Sequence, residues 1–134
     1  KPILLKVSPD LAHQQLDEII DYCLRSGIDG IVAGNTTRSR DGITSLSKEK
    51  VEAIGNGGMS GAPVHKKNLE LVKYVHSRSE GKLPIIGVGG IMSPEQAKAM
   101  LDAGASLVEI YSGFIFEGPA LVKNIIKYLE NDAK

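Results

Sequence analysis

Short runs of branched apolar residues alternate along this chain with stretches in which apolar positions recur every three or four residues. The first run, Ile3–Val7, predicts a strand closed by Ser8-Pro9-Asp10. Leu16, Ile19, Ile20, Cys23 and Leu24 then form one helical stripe, and Gly27 stands where a helix commonly ends in a left-handed residue. Ile28–Ala33 reads as a second strand. A helix from about Lys66 to Ser79 carries Leu69, Val72, Val75 and His76 on one face, and Pro84–Val88 is a third strand. At Ser93-Pro94-Glu95-Gln96 the signal for a helix start is clearest: Ser93 can cap, Pro94 suits the first helical position, and Gln96 can complete a capping box. That helix ends at Gly104. Leu107–Tyr111 is the fourth strand, with Glu109 its one charged residue, and a last helix opens near Pro119 with Leu121, Val122, Ile125, Ile126 and Leu129.

Strands with few polar breaks, each followed by a helix, predict an α/β protein with a helix-covered parallel sheet. A weak internal echo supports successive β/α units: Ser26-Gly27-Ile28-Asp29 before the second strand parallels Ala103-Gly104-Ala105-Ser106 before the fourth. A complete (β/α)8 TIM barrel takes about 250 residues. Four units in 134 residues make half of one. One connection breaks the rhythm, a stretch of about thirty residues from Asn35 to His65, with a short helix over Ser47–Ile54. A tolerated surface insertion is the bland reading of it. Against that stands Gly57-Gly58-Met59-Ser60-Gly61, whose glycines let backbone approach a ligand.

Composition narrows the function classes. Sixteen basic and sixteen acidic residues cancel, so no overall field selects nucleic acid or a membrane surface. The apolar runs are far too short to span a bilayer. Cys23 is the one cysteine and cannot form an intrachain disulfide, and a reducing, cytoplasmic compartment is the simplest expectation. The chain begins on a strand without a methionine and without a signal-peptide pattern, which reads as part of a longer protein.

Chemistry is expected at the C-terminal ends of the strands. Four segments fall there: Lys6-Val7-Ser8-Pro9, Gly34-Asn35-Thr36-Thr37, Gly87-Val88-Gly89-Gly90 and Tyr111-Ser112-Gly113. Gly89, Gly90, Ser112 and Gly113 offer backbone donors after the last two strands, a pattern that favours a phosphate-bearing ligand over mere tight turns. It is not the Rossmann fingerprint, whose spacing and acidic partner are missing. Lys6 closes an apolar strand and either points into the barrel mouth or is a solvated strand end. Asn35 can serve a planar ligand with mixed donor and acceptor edges, or a turn. His13, His65 and His76 share no metal-ligand spacing and are expected to face solvent or pack. Cys23 reads as a buried hydrophobe, and Lys66, Lys67, Glu70 and Lys73 as a solvated helix face.

In order, Leu5-Lys6-Val7-Ser8-Pro9-Asp10, Gly34-Asn35-Thr36-Thr37-Arg38-Ser39-Arg40, Gly57–Gly61, Pro84–Ile91, Ala103–Val108 and Tyr111-Ser112 closely resemble dihydroorotate dehydrogenases, over essentially the whole chain. The match is to the C-terminal half of that family, in its class 2, quinone-linked branch. The resemblance implies an FMN-dependent β/α barrel that oxidises dihydroorotate to orotate in pyrimidine biosynthesis. It implies that Lys6 contacts the flavin near its pyrimidine edge, where a positive charge stabilises the electron-rich reduced form. Gly34 would lie against the flavin through its backbone, although the family pattern leads one to expect threonine there. Gly61, Gly90, Tyr111 and Ser112 would bind FMN, the last three around its phosphate, while Asn35 and Thr36 would hydrogen-bond the pyrimidine. The catalytic base and the quinone-receiving helices belong to the family's N-terminal half. None of Ser8, Ser39 or Ser60 stands in a base motif, so this chain is expected to be inactive alone, with its parent peripheral on an inner membrane.

Two other readings compete. One is a non-catalytic phosphate-binding half-barrel that docks on a partner chain, which flavin colour and dihydroorotate turnover with the missing half restored would exclude. The other is a class 1 enzyme using fumarate or NAD, which the Asn35–Arg40 pattern counts against. An isolated half-barrel is further expected to self-associate through its exposed strand edges.

Overall fold

A computed structural model describes residues 1–41, 43 and 46–132. Residues 42, 44 and 45 of the long connection lie outside them. Four strands, β1 (Leu4–Val7), β2 (Gly30–Ala33), β3 (Ile85–Val88) and β4 (Leu107–Glu109), form one sheet in the order β1-β2-β3-β4. All three neighbouring pairs run parallel. Between them lie α1 (His13–Ser26), α2 (Lys48–Ala53), α3 (His65–Arg78) and α4 (Pro94–Asp102), and α5 (Ser112–Glu117) and α6 (Ala120–Asp132) follow. The architecture is the expected one, four consecutive β/α units that make half of a (β/α)8 barrel.

Register decides which residues share a face. Leu5 pairs with Ile31 and Ile31 with Ile85, while Val7 pairs with Ala33 and Ala33 with Gly87. These rows face the helices, where Val7, Ile31, Ala33 and Ile85 join Leu16, Ile20, Cys23, Leu71, Val72 and Val75 in one buried core. Each large side chain buried there contributes about 1.5–3 kcal/mol. Burial also pushes the Cys23 thiol above its ordinary range. The alternate row runs Lys6, Val32, Ile86, Leu107. Among the described residues none of these belongs to the core, and Leu107 is 62 % exposed.

Several element boundaries and faces differ from the sequence reading. Leu24 is exposed rather than part of the α1 stripe, whose buried positions are Leu16, Ile20 and Cys23. On α3 the buried face is Asn68, Leu71, Val72 and Val75, and His76 packs outside it against Gly81 and Gly104. Val122 and Ile126 of α6 are exposed, and only Leu121 and Ile125 are buried. Ser93 Oγ caps α4 from Gln96 N–H, but Gln96 Oε1 accepts from Met92 N–H (2.7 Å), one residue before the cap. Gly27 and Gly104, the two members of the internal echo, both have positive φ and lead into β2 and β4. Among the described residues no helix is long and apolar enough to cross a membrane.

The long connection folds back on itself. Thr37 and Met59 form an antiparallel bridge, with Thr37 N–H to Met59 O at 3.1 Å and Met59 N–H to Thr37 O at 2.7 Å. Arg40 donates to the carbonyls of Gly55 and Gly57. The excursion beyond Thr37, including α2, is therefore pinned at its base, and its return through Ser60, Gly61 and a 3-10 turn (Ala62–Val64) is delivered to the C-terminal edge of the sheet.

Candidate functional site

At that edge the strand exits enclose a cavity of about 240 Å³. The open face of the sheet contributes Lys6 from β1, Val88 from β3 and Glu109 from β4, the last two paired in register one row beyond Ile86 and Leu107. Asn35 and Thr36, just past β2, also line it. Ser60, Gly61 and Val64 from the return of the long connection line it too, together with Gly89, Gly90 and Ile91 past β3 and Tyr111 and Ser112 past β4. Residues far apart in sequence meet here because parallel strands all end on the same side of the sheet.

Of the residues singled out from sequence, Lys6, Asn35, Thr36, Gly61, Gly90, Tyr111 and Ser112 all line this one cavity. Gly34 does not. It is buried behind Asn35, and a Cβ there would overlap the side-chain amide of Asn68. The glycine cluster has a concrete steric basis. A Cβ on Gly90 would stand 2.6 Å from His65 N and 2.7 Å from Gly61 O, so these segments come together only around a bare backbone. Gly61 in turn lies beside Ser112, whose Cβ a Cβ on Gly61 would meet at 3.8 Å.

The exit of β2 is held by a network that sequence reading missed. Asp10 accepts from Thr37 Oγ1 (2.5 Å), Arg38 N–H (2.8 Å) and Lys67 Nζ (2.5 Å), and Lys67 also donates to Thr37 Oγ1 (3.2 Å). Burial acts to raise the Asp10 pKa, but the hydrogen bonds from Lys67, Thr37 and Arg38 and the Lys67 charge together outweigh it and lower the carboxyl to about 2. Lys67 is therefore not simply part of a solvated face. Burial lowers the pKa of the His65 imidazole, offset in part by a backbone hydrogen bond at Gly89. His13 stacks on Tyr74 with ring centroids 4.3 Å apart.

Also absent from the sequence reading are Glu109, Val64 and Ser60 as lining residues, α5 as a helix, and Asn68. Asn68 carried a signal: it is a polar residue at helical spacing with Leu71, Val72 and Val75, where an apolar one is expected. The pair Asp10–Lys67 carried none, because its members lie on separate elements and each looks like an ordinary surface charge.

The cavity combines the Lys6 ammonium, the amide and hydroxyl groups of Asn35, Thr36, Ser60 and Ser112, and bare backbone at Gly61, Gly89 and Gly90. That donor set suits a polar ligand that carries an anionic group. Among the described residues no group of three or more His, Cys, Asp or Glu could hold a metal ion.

Comparison with known proteins bears on the same point. Residues 1–132 match the profile of the family described as dihydroorotate dehydrogenase. The dihydroorotate dehydrogenase (quinone) of Salinispora arenicola is 46% identical over 123 residues, covering 92% of this chain and 36% of that protein. The enzyme of the same name from Christiangramia forsetii is 48% identical over 125 residues, covering 93% and 35%. Among solved structures, DHODH from Eimeria tenella in complex with ferulenol superposes with a TM-score of 0.85 at 33% identity, over 96% of this chain and 33% of that one. The chain thus spans about a third of the length of the curated relatives it matches.

Proposed function

Because this chain belongs to the dihydroorotate dehydrogenase family, we propose that it forms the FMN- and substrate-binding C-terminal half of a barrel that oxidises dihydroorotate to orotate in pyrimidine biosynthesis, with a quinone as acceptor. The observation that carries the reading is the convergence on one cavity of Lys6, Asn35, Thr36, Gly61, Gly90, Tyr111 and Ser112 from four separate strand exits. The names of the curated relatives support the quinone-linked branch over one using fumarate or NAD.

When bound, FMN would supply the acceptor for the hydride that leaves one carbon of the substrate's CH–CH unit, while the proton from the neighbouring carbon goes to a base. Lys6 presents its ammonium to the ring end of the cavity, where fixed positive charge favours a ligand gaining negative charge. Asn35 and Thr36 hold and orient the pyrimidine. Gly61 lies against the cofactor and Gly90, Tyr111 and Ser112 seat its phosphate end, whereas Gly34, which does not reach the cavity, is given no contact with the flavin. The proton acceptor is assigned to no residue of this chain, and neither are the quinone site and any membrane association. All three belong to the remainder of the barrel, without which the chain is inactive.

The test is made on a complete barrel containing this chain. Lys6→Ala should weaken FMN retention and lower dihydroorotate:quinone turnover about a hundredfold. Asn35→Ala should raise the Kd for orotate by the equivalent of roughly 1–3 kcal/mol while FMN content stays normal. Wild-type flavin content and rate in Lys6→Ala would overturn the reading. Loss of FMN with unchanged orotate affinity in Asn35→Ala would reassign that residue to the cofactor.

A further inference from the structure

We propose that Asn68 is a positioning residue for the substrate: its buried amide fixes the backbone of Asn35 and so aims the Asn35 side chain into the ligand cavity. The inference rests on the assignment of Asn35 to the pyrimidine.

Asn68 is 0% exposed, on the face of α3 that packs against the sheet. A buried amide is costly unless both its donor and its acceptor are satisfied. Here both are engaged by a single residue. Asn68 Oδ1 accepts from Asn35 N–H at 3.3 Å, and Asn68 Nδ2 donates to Asn35 O at 3.1 Å. Gripping the N–H and the C=O of one residue fixes both peptide planes that flank its Cα, and these set the direction of its Cβ. The adjacent residue of α3, Lys67, reaches Asp10 and Thr37 at the other end of the same loop. Consecutive α3 residues thus hold the segment Asn35–Arg38 at both ends, leaving Asn35 and Thr36 to face the cavity.

The surrounding backbone is shaped to receive this amide. A Cβ on Gly34 would overlap Asn68 Oδ1, and a Cβ on Gly89 would overlap Asn68 Nδ2. The exits of β2 and β3 are therefore both glycine where Asn68 lies between them. An apolar side chain would fill the same slot without a desolvation cost, but it would leave the Asn35 N–H and C=O unpaired.

The experiment uses a complete, FMN-loaded barrel containing this chain, with orotate binding read from the flavin absorbance change. Asn68→Ala should raise the orotate Kd and the dihydroorotate KM about tenfold, with FMN content per chain unchanged. Gly34→Ala retains the Asn68 side chain but pushes its amide away from Asn35, and should raise the orotate Kd in the flavin-loaded fraction to a similar extent. The double variant should be no worse than Asn68→Ala alone, because the new methyl group then has nothing to displace. A purely structural residue would lower the thermal midpoint and leave the orotate Kd unchanged, and that result overturns the proposal. If Asn68→Ala does not fold, wild-type orotate affinity in Gly34→Ala overturns it equally. Failure at the level of the underlying assignment looks different: Asn35→Ala itself would bind orotate normally, and the present inference would fall with it. Weakened orotate binding in Asn35→Ala alone, with Asn68→Ala and Gly34→Ala unaffected, would refute only the role of Asn68.

Discussion

The two faces of the sheet follow opposite rules. On one, Val7, Ile31, Ala33 and Ile85 are sealed against α1 and α3, and the apolar stripes of those helices find their complement within the chain. On the other, Lys6, Val32, Ile86 and Leu107 form a row that none of the buried core residues joins. The difference separates two kinds of information. The closed face is determined by helical and strand periodicity alone, because each apolar residue has a partner nearby. The open face is apolar in its middle and charged at its C-terminal lip, the arrangement of a barrel interior whose opposite wall lies elsewhere. The ligand chemistry sits on that lip.

The largest effect expected from this contrast is on stability. Ile85→Ala should destabilise the chain by about 2–5 kcal/mol, because it removes a fully buried side chain from the closed face. Ile86→Ala, its neighbour on the open face, should cost roughly 1 kcal/mol or less in the isolated chain. Urea midpoints of the two variants measure the difference. Equal losses would mean that the open face is covered after all, and the contrast would collapse. In a complete barrel the Ile86→Ala loss should rise toward that of Ile85→Ala.

A smaller effect is expected on association. Leu107 lies on edge strand β4 at 62% exposure, and Ile115 and Phe116 of α5 are 73% and 74% exposed. Unpaired strand edges with apolar side chains favour self-association. Light scattering of the isolated chain should show mass rising with concentration, and Leu107→Lys should weaken the association about tenfold, on the order of 1.4 kcal/mol. A concentration-independent monomer that binds FMN tightly would break the half-barrel argument.

The closed face was the legible part of the fold. Strand runs and helix stripes located all four strands and the helices α1, α3, α4 and α6, because periodicity reports burial directly. The errors fell where burial depends on a tertiary neighbour. Leu24 has the spacing of α1's buried stripe yet stays 40% exposed, and on α3 the spacing favours His76 where the structure buries Leu71 instead. Helix α5 was missed because Ser112–Glu117 is a short apolar run with no polar face to give it a helical period. At the site, the exposed strand-exit residues were readable from motif order. Their supports were not, since Asp10, Lys67 and Asn68 act across the gap between β1, β2 and α3, and only Asn68 left a mark in the local pattern.

The smallest expected effect lies where the two faces meet. Asp10 ties α3, which packs on the closed face, to the Asn35–Arg38 loop at the lip of the open one. Its carboxyl is held at about 2 against an ordinary 3.8. Between those values the unfolded chain binds more protons than the folded one, so folding stability falls as pH falls through that window and is fully present above it. Lys67 is 41% exposed on its side chain, and solvent screening limits the contribution to on the order of 1 kcal/mol. Asp10→Asn keeps an oxygen that can accept from Thr37 and Arg38 but removes the charge and the titration. Its stability should therefore change less than that of the wild type between pH 5 and about pH 2, a window set by the two pKa values. Urea unfolding at a series of pH values makes the comparison. Parallel profiles would show that the Lys67–Asp10 contact does not couple the lip to the core, and the loop would then owe its position to Asn68 and the Thr37–Met59 bridge alone.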